Sequence, residues 1–147
     1  MFKNILIPTD GSEMSEDAAR KGAALAKLHG ARIVGVHVFP VSLGIYYGEA
    51  VWVDETMRTQ MQEAAAAEGR KYLDKLEEIV RAEGVPFERV LIEGDSPWQG
   101  IVETADRKGC DLIVMAAHGR RGIAAVLLGS ETNRVLTHTK IPVLVYR

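Results

Sequence analysis

The sequence predicts an α/β fold: one doubly wound, five-stranded parallel sheet with helices on both faces, a Rossmann-like arrangement. Three observations predict it. Short, mostly β-branched apolar runs alternate with stretches of helical periodicity, the runs are continuously apolar rather than alternating, and glycine or proline punctuates nearly every junction. Strict strand-helix alternation makes the strands parallel and the crossovers right-handed, because each helix must pack back on the sheet its neighbours belong to.

The elements follow in order. Ile5, Leu6 and Ile7, stopped by Pro8, form a first strand buried on both sides. Ala18, Gly22, Leu25 and Leu28 recur at helical spacing over 15–29, with Ser15 as N-cap and Gly30 as the stop. Ile33, Val34, Val36, Val38 and Phe39 give a second strand ending at Pro40. From Val41 to Glu55 the chain carries Gly44, Tyr46, Tyr47, Gly48 and Trp52 without a period, which suits a lid, an interface arm or an excursion that packs back on the domain.

Met57, Met61, Ala64, Ala65, Tyr72, Leu76, Ile79 and Val80 make one core stripe of a long helix over 56–83, ended by Gly84 and Pro86. Phe87, Val90, Leu91 and Ile92 supply strand three, and Pro97 to Lys108 a third helix closed by Gly109. Asp111 to Ala116 is an intensely apolar fourth strand. Ser130 opens a short helix through Val135 and Leu136, and Ile141 to Tyr146 is the last strand. No repeat or low-complexity tract divides the 147 residues, so one domain over 1–147 is expected.

Composition narrows the function. Hydrophobic residues make up 47% and charged residues 26%, the balance of a globular protein without a membrane span. A formal net charge of -2 leaves no bulk positive field to hold nucleic acid. The lone Cys110 cannot form an internal disulfide, and its place at a strand entrance suits a half-buried structural thiol. With no leader-like opening, a cytoplasmic location is expected.

In doubly wound sheets ligands bind beyond the carboxyl ends of the strands where the order reverses, so the loops starting at Pro8 and Ala117 should face each other. After Met115 and Ala116 the chain runs Ala117-His118-Gly119-Arg120-Arg121-Gly122 and later Gly129-Ser130. Glycines let backbone approach a ligand, and a helix opening at Ser130 points amides outward, a construction that suits phosphate. Two tight turns plus a helix cap would leave the same residues.

The stretch from Met115 to Ser130 resembles the nucleotide loop of the universal stress protein family, whose ATP-binding members carry Gly-x2-Gly-x9-Gly-(Ser/Thr) after the fourth strand. Ala116, Gly119, Gly129 and Ser130 fall on those places. The opening Ile5-Leu6-Ile7-Pro8-Thr9-Asp10-Gly11-Ser12, the pair His37-Val38 and the ending Ile141-Pro142-Val143-Leu144-Val145 resemble the family's first strand and loop, second-strand end and last strand.

The resemblance implies an adenine nucleotide alpha hydrolase-like fold that binds ATP, ADP or AMP, with Mg or Mn held through the phosphates and no protein-held metal. Pro8, Thr9, Asp10 and Val38 would line the adenine and ribose, the motif positions Ala116, Gly119 and Gly129 with Ser130, Glu131 and Thr132 would hold the phosphates, and Met115 is a further implied contact. Arg120 adds a clamp for phosphate oxygens. A homodimer through the last strand is implied as well. Ala116 replaces the first glycine of the motif, adding a methyl that costs little where φ is negative. Glu131 beside the phosphates points to AMP or ADP over ATP.

Other readings stay open. A slow ATP hydrolase or self-phosphorylating protein would use Ser130 or Thr132, with His118, Asp10 or Glu131 as base. A member of the family that has lost the nucleotide is a further reading. A phospho-receiver domain would use Asp95, but the acidic pair after strand one and the lysine ending strand five are missing. His29, His37 and His138 show no metal-ligand spacing and are expected in packing or solvent.

Overall fold

A strand that is apolar at every position must have neighbours on both sides and cover on both faces, and Ile5, Leu6 and Ile7 are fully buried. The computed structural model describes residues 1–41, 54–119 and 128–147. Among these the chain forms β1 (Asn4–Pro8), α1 (Glu13–His29), β2 (Arg32–Phe39), α2 (Glu55–Ala82) and β3 (Phe87–Glu93), then α3 (Pro97–Arg107), β4 (Leu112–Ala116), α4 (Ser130–His138) and β5 (Val143–Tyr146). The sheet is parallel throughout, in the order β3-β2-β1-β4-β5. The expected fold class is therefore the observed one. β1 lies at the centre, in register with Arg32–Val36 of β2 on one side and with Leu112 and Ile113 of β4 on the other.

Alternate residues of each central strand feed two cores. Ile5, Ile7, Ile33, Leu112 and Val114 meet Ala19, Ala23 and Ala26 of α1 and Leu73, Leu76 and Val80 of α2. On the other face Leu6, Val34, Val36, Ile113 and Met115 meet Ile101 and Ala105 of α3 and Val135 of α4. The face α1 turns to the sheet is made of small residues, so the helix comes close: a Cβ on Gly22 would lie 2.5 Å from Ile7 Cδ1.

Several boundaries differ from expectation for local reasons. The N-cap of α1 is Ser12, whose hydroxyl accepts from the Ser15 amide; Ser15 lies inside the first turn and is itself buried. Leu28 is 84% exposed, because the buried stripe runs through Ala19, Ala23 and Ala26 and turns Leu28 outward. Met57 is 52% exposed and Ala64 is exposed too, so the core stripe of α2 begins at Ala66. A 28-residue helix is about 42 Å long against about 26 Å for the eight-residue β2, and its first turns overhang the carboxyl edge of the sheet.

β4 begins at Leu112 rather than Asp111, and β5 at Val143 rather than Ile141, since Pro142 has no amide to give a ladder. The Asp111 carboxylate instead accepts the amides of Lys3 (2.8 Å) and Asn4 (3.0 Å), clasping the entrance of β1. Cys110 is buried beside it, and burial pushes its thiol up to about 11. No helix among the described residues is long and apolar enough to cross a membrane.

Candidate functional site

The chain leaves β1 toward β2 and leaves β4 toward β5, so the two connections part and open a crevice between them at the carboxyl edge. It has a volume of about 750 Å³, within the roughly 300–1,000 Å³ of small-molecule sites.

The β1 side is fixed by its own hydrogen bonds. The Thr9 amide donates to Val36 O (2.9 Å), and its hydroxyl accepts from the Gly11 amide (3.2 Å) and meets the Ser15 hydroxyl (3.3 Å). Asp10 Oδ1 accepts from the Ser12 amide at 3.0 Å, the Asx turn that leads into α1. Gly11, at φ +75°, carries no Cβ because the Tyr72 ring of α2 occupies that space, 2.3 Å from an ideal one. Asp10 thus takes the turn role and still borders the crevice.

The β4 side is built around two glycines. A Cβ on Gly119 would fall 2.0 Å from Asp10 Oδ2, so the loops after β1 and β4 close directly on each other, as the sequence requires. A Cβ on Gly129 would lie 3.2 Å from Ala117 O and 3.3 Å from His118 Cα, and the Gly129 amide donates to that same carbonyl at 2.7 Å. Gly129 has φ -66° and is needed for space, not for its backbone conformation. It is the N-cap of α4; Ser130 is the first helical residue rather than the cap. A glycine cap offers no side-chain acceptor, so α4 starts with no side-chain cap, and its first-turn residues line the crevice at the positive end of the helix.

The three other residues of this side divide in role. Ala116 ends β4 in extended backbone, paired with Tyr146, so its methyl carries no conformational strain. The Thr132 hydroxyl, buried, donates to Ala116 O at 3.0 Å and ties α4 to the strand end. That commitment leaves Ser130 as the exposed hydroxyl of the two considered for self-phosphorylation. Glu131 reaches sideways: its Oε2 accepts from the Trp98 amide at 2.8 Å in the first turn of α3.

Pro8, Thr9, Asp10 and Val38 line the crevice together with Met115, Ala116 and Gly119 and with the Gly129–Thr132 turn. Arg120 and most of the aromatic stretch within 41–55 lie outside the described residues. His118 also borders the crevice, and its buried Nδ1 has no hydrogen-bond partner among the described residues.

The α2 wall was not read from sequence. His37, expected in packing or solvent, lines the crevice; its Nδ1–H donates to Thr9 O (2.8 Å) and its ring meets Tyr72 edge-on at 5.2 Å. The Tyr72 hydroxyl donates to Glu68. One signal was available: Gly69 interrupts a good helix, and a Cβ there would lie 2.5 Å from His37 Cδ2. Asp95, weighed above as a phosphoacceptor, lines the crevice and accepts from the Val41 amide at 3.0 Å. No group of three metal-ligating side chains occurs among the described residues.

The universal stress protein family model matches residues 1–147. Universal stress protein MJ0531 of Methanocaldococcus jannaschii is 35% identical over 149 residues, spanning 100% of this chain and 83% of that protein. Among solved structures, universal stress protein UspA from Lactobacillus plantarum superposes with a TM-score of 0.83 at 25% identity, covering 99% of this chain and 97% of that one. The universal stress protein from Archaeoglobus fulgidus in complex with dAMP gives 0.71 at 23% identity, over 99% and 98% of the two chains.

Proposed function

This chain belongs to the universal stress protein family, and from that premise we propose that it is an adenine-nucleotide-binding module that works as one unit over 1–147 in the cytoplasm. The observation that carries the reading is the start of α4: a helix with a glycine cap and no side-chain acceptor, opening onto a crevice of about 750 Å³ at the point where the strand order reverses.

The residues present fit such a ligand. Backbone amides of Ser130, Glu131 and Thr132 would take a phosphate, with Gly119 and Gly129 keeping the approach clear of side chains. Pro8, Thr9, Val36 and Val38 offer an apolar wall with carbonyl and hydroxyl groups for a base and ribose. Asp10 borders the crevice and would accept from ribose hydroxyls or support a divalent ion carried in on the phosphates. An A. fulgidus relative of this fold holds dAMP.

The bound nucleotide would act by occupancy: it fills the positive end of α4 beside the loops after β1 and β4, altering the surface shown to a partner. The functional form is a homodimer joined along β5, an edge strand with Leu144 43% exposed and Leu136 of α4 38% exposed.

Calorimetric titration with AMP, ADP and ATP in parallel, with and without Mg²⁺, tests the reading. Saturable one-to-one binding that is lost on Gly129→Val, in a variant shown folded by circular dichroism, is the expected result. Absence of heat and of any thermal stabilisation with all three ligands at millimolar concentration would overturn it.

A further inference from the structure

Two of the helices that begin at the crevice, α3 and α4, are capped differently. α3 starts at Pro97, which has no amide to donate, and its cap residue Ser96 makes no side-chain cap bond. The amides of Gln99 and Gly100 are taken by Ser96 O, at 3.1 and 3.2 Å. That leaves the Trp98 amide, and the acceptor comes from another helix: Glu131 Oε2 at 2.8 Å. The other oxygen, Oε1, accepts from Arg134 Nη1 at 3.5 Å. A single carboxylate therefore sits between the starts of α3 and α4, in the first turn of one and capping the other, and it borders the crevice.

Its charge matters because of where it is held. The amides of α4 that would receive a phosphate belong to Glu131 and its immediate neighbours. A monophosphate at those amides meets the carboxylate once. A longer phosphate chain brings further negative charge beside a group that is pinned by Trp98 and cannot swing away without uncapping α3.

Resting on the nucleotide reading above, we infer that Glu131 is the specificity-determining residue of the crevice, selecting adenosine monophosphates over triphosphates unless a divalent cation offsets the extra charge. Two additional charges about 10 Å from a carboxylate in wet surroundings amount to roughly five- to tenfold in affinity. Divalent cation reduces the difference by neutralising the outer phosphates.

Glu131→Gln tests this directly, since its side-chain carbonyl can still accept from Trp98 and keep α3 capped. AMP and ATP are titrated against wild type and variant in metal-free buffer and again with Mg²⁺. The expected result is a metal-free ATP affinity that rises about five- to tenfold relative to AMP in the variant, with a smaller change in Mg²⁺. Glu131→Asp keeps the charge and shortens the reach, so it should lower the melting temperature while leaving the wild-type preference in place. An equal change for AMP and ATP in Glu131→Gln, or none, overturns the selector and leaves nucleotide binding standing. Failure of wild type and variant alike to bind either nucleotide overturns both.

Discussion

Replacing Gly129 by alanine places a methyl in a space the structure does not provide. The ideal Cβ lies 3.2 Å from a backbone carbonyl and 3.3 Å from a backbone Cα, atoms that cannot rotate aside as a side-chain end would. The residue cannot easily retreat either, because its own amide is bonded to that carbonyl at 2.7 Å. Overpacking of this kind costs about 1–2 kcal/mol, and alanine in place of glycine at an N-cap adds about 0.5–1 kcal/mol. For a chain of 147 residues each kcal/mol moves the melting temperature by about 3 °C, so Gly129→Ala should melt about 5–9 °C below wild type. The same displacement misaims the α4 amides. Losing one hydrogen bond to a charged phosphate is worth about 1.5–3 kcal/mol, which is at least a tenfold loss of AMP affinity. Differential scanning calorimetry with and without AMP reads both effects. An unchanged melting temperature together with unchanged AMP affinity would refute the argument that this turn is tight and aimed at the ligand.

Thr132→Val keeps shape but removes the hydroxyl that donates to Ala116 O, and should cost about 1–2 kcal/mol, measured by urea denaturation. Cys110, with its thiol raised by burial to about 11, should resist iodoacetamide at pH 8 in the folded state and react once the protein is unfolded in urea; prompt labelling of native protein would contradict its burial. Its sign follows from the same shift: the folded state keeps the proton longer than the unfolded one, so this group's stabilisation is present below pH 9 and fades as pH rises toward 11. Leu144→Glu on the β5 edge of the sheet should convert the proposed homodimer into a monomer in sedimentation equilibrium while leaving the circular dichroism spectrum intact.

The architecture was legible because its strands are apolar on both faces. Ile5-Leu6-Ile7 and Leu112–Ala116 admit no half-exposed placement, and that alone makes the sheet parallel and helix-covered. The meeting of the loops after β1 and β4 followed from the reversal of strand order, and the eleven described residues named for the site do line one crevice. What periodicity cannot carry is the reach of one element beyond another. Met57 lies on turns that overhang the sheet and, nine positions before Ala66, on the opposite face of the helix from the buried stripe, and Leu28 points away from the stripe of Ala19, Ala23 and Ala26. The α2 wall was missed for the same reason. His37 and Tyr72 are 35 positions apart in sequence, and only the missing side chains of Gly11 and Gly69 betray that they meet. The turn of Glu131 toward Trp98 depends on the distance between two helix starts, which no spacing in the chain encodes.

Of the five strands, the central one is synthesised first. β1 can pair with β2 as soon as the first crossover is complete, but its other flank stays open until β4 arrives more than 100 positions later, held by the Asp111 carboxylate on the amides of Lys3 and Asn4. A nascent chain therefore carries this buried strand half-paired until β4 emerges, and the long sequence separation predicts slow maturation that leans on chaperones.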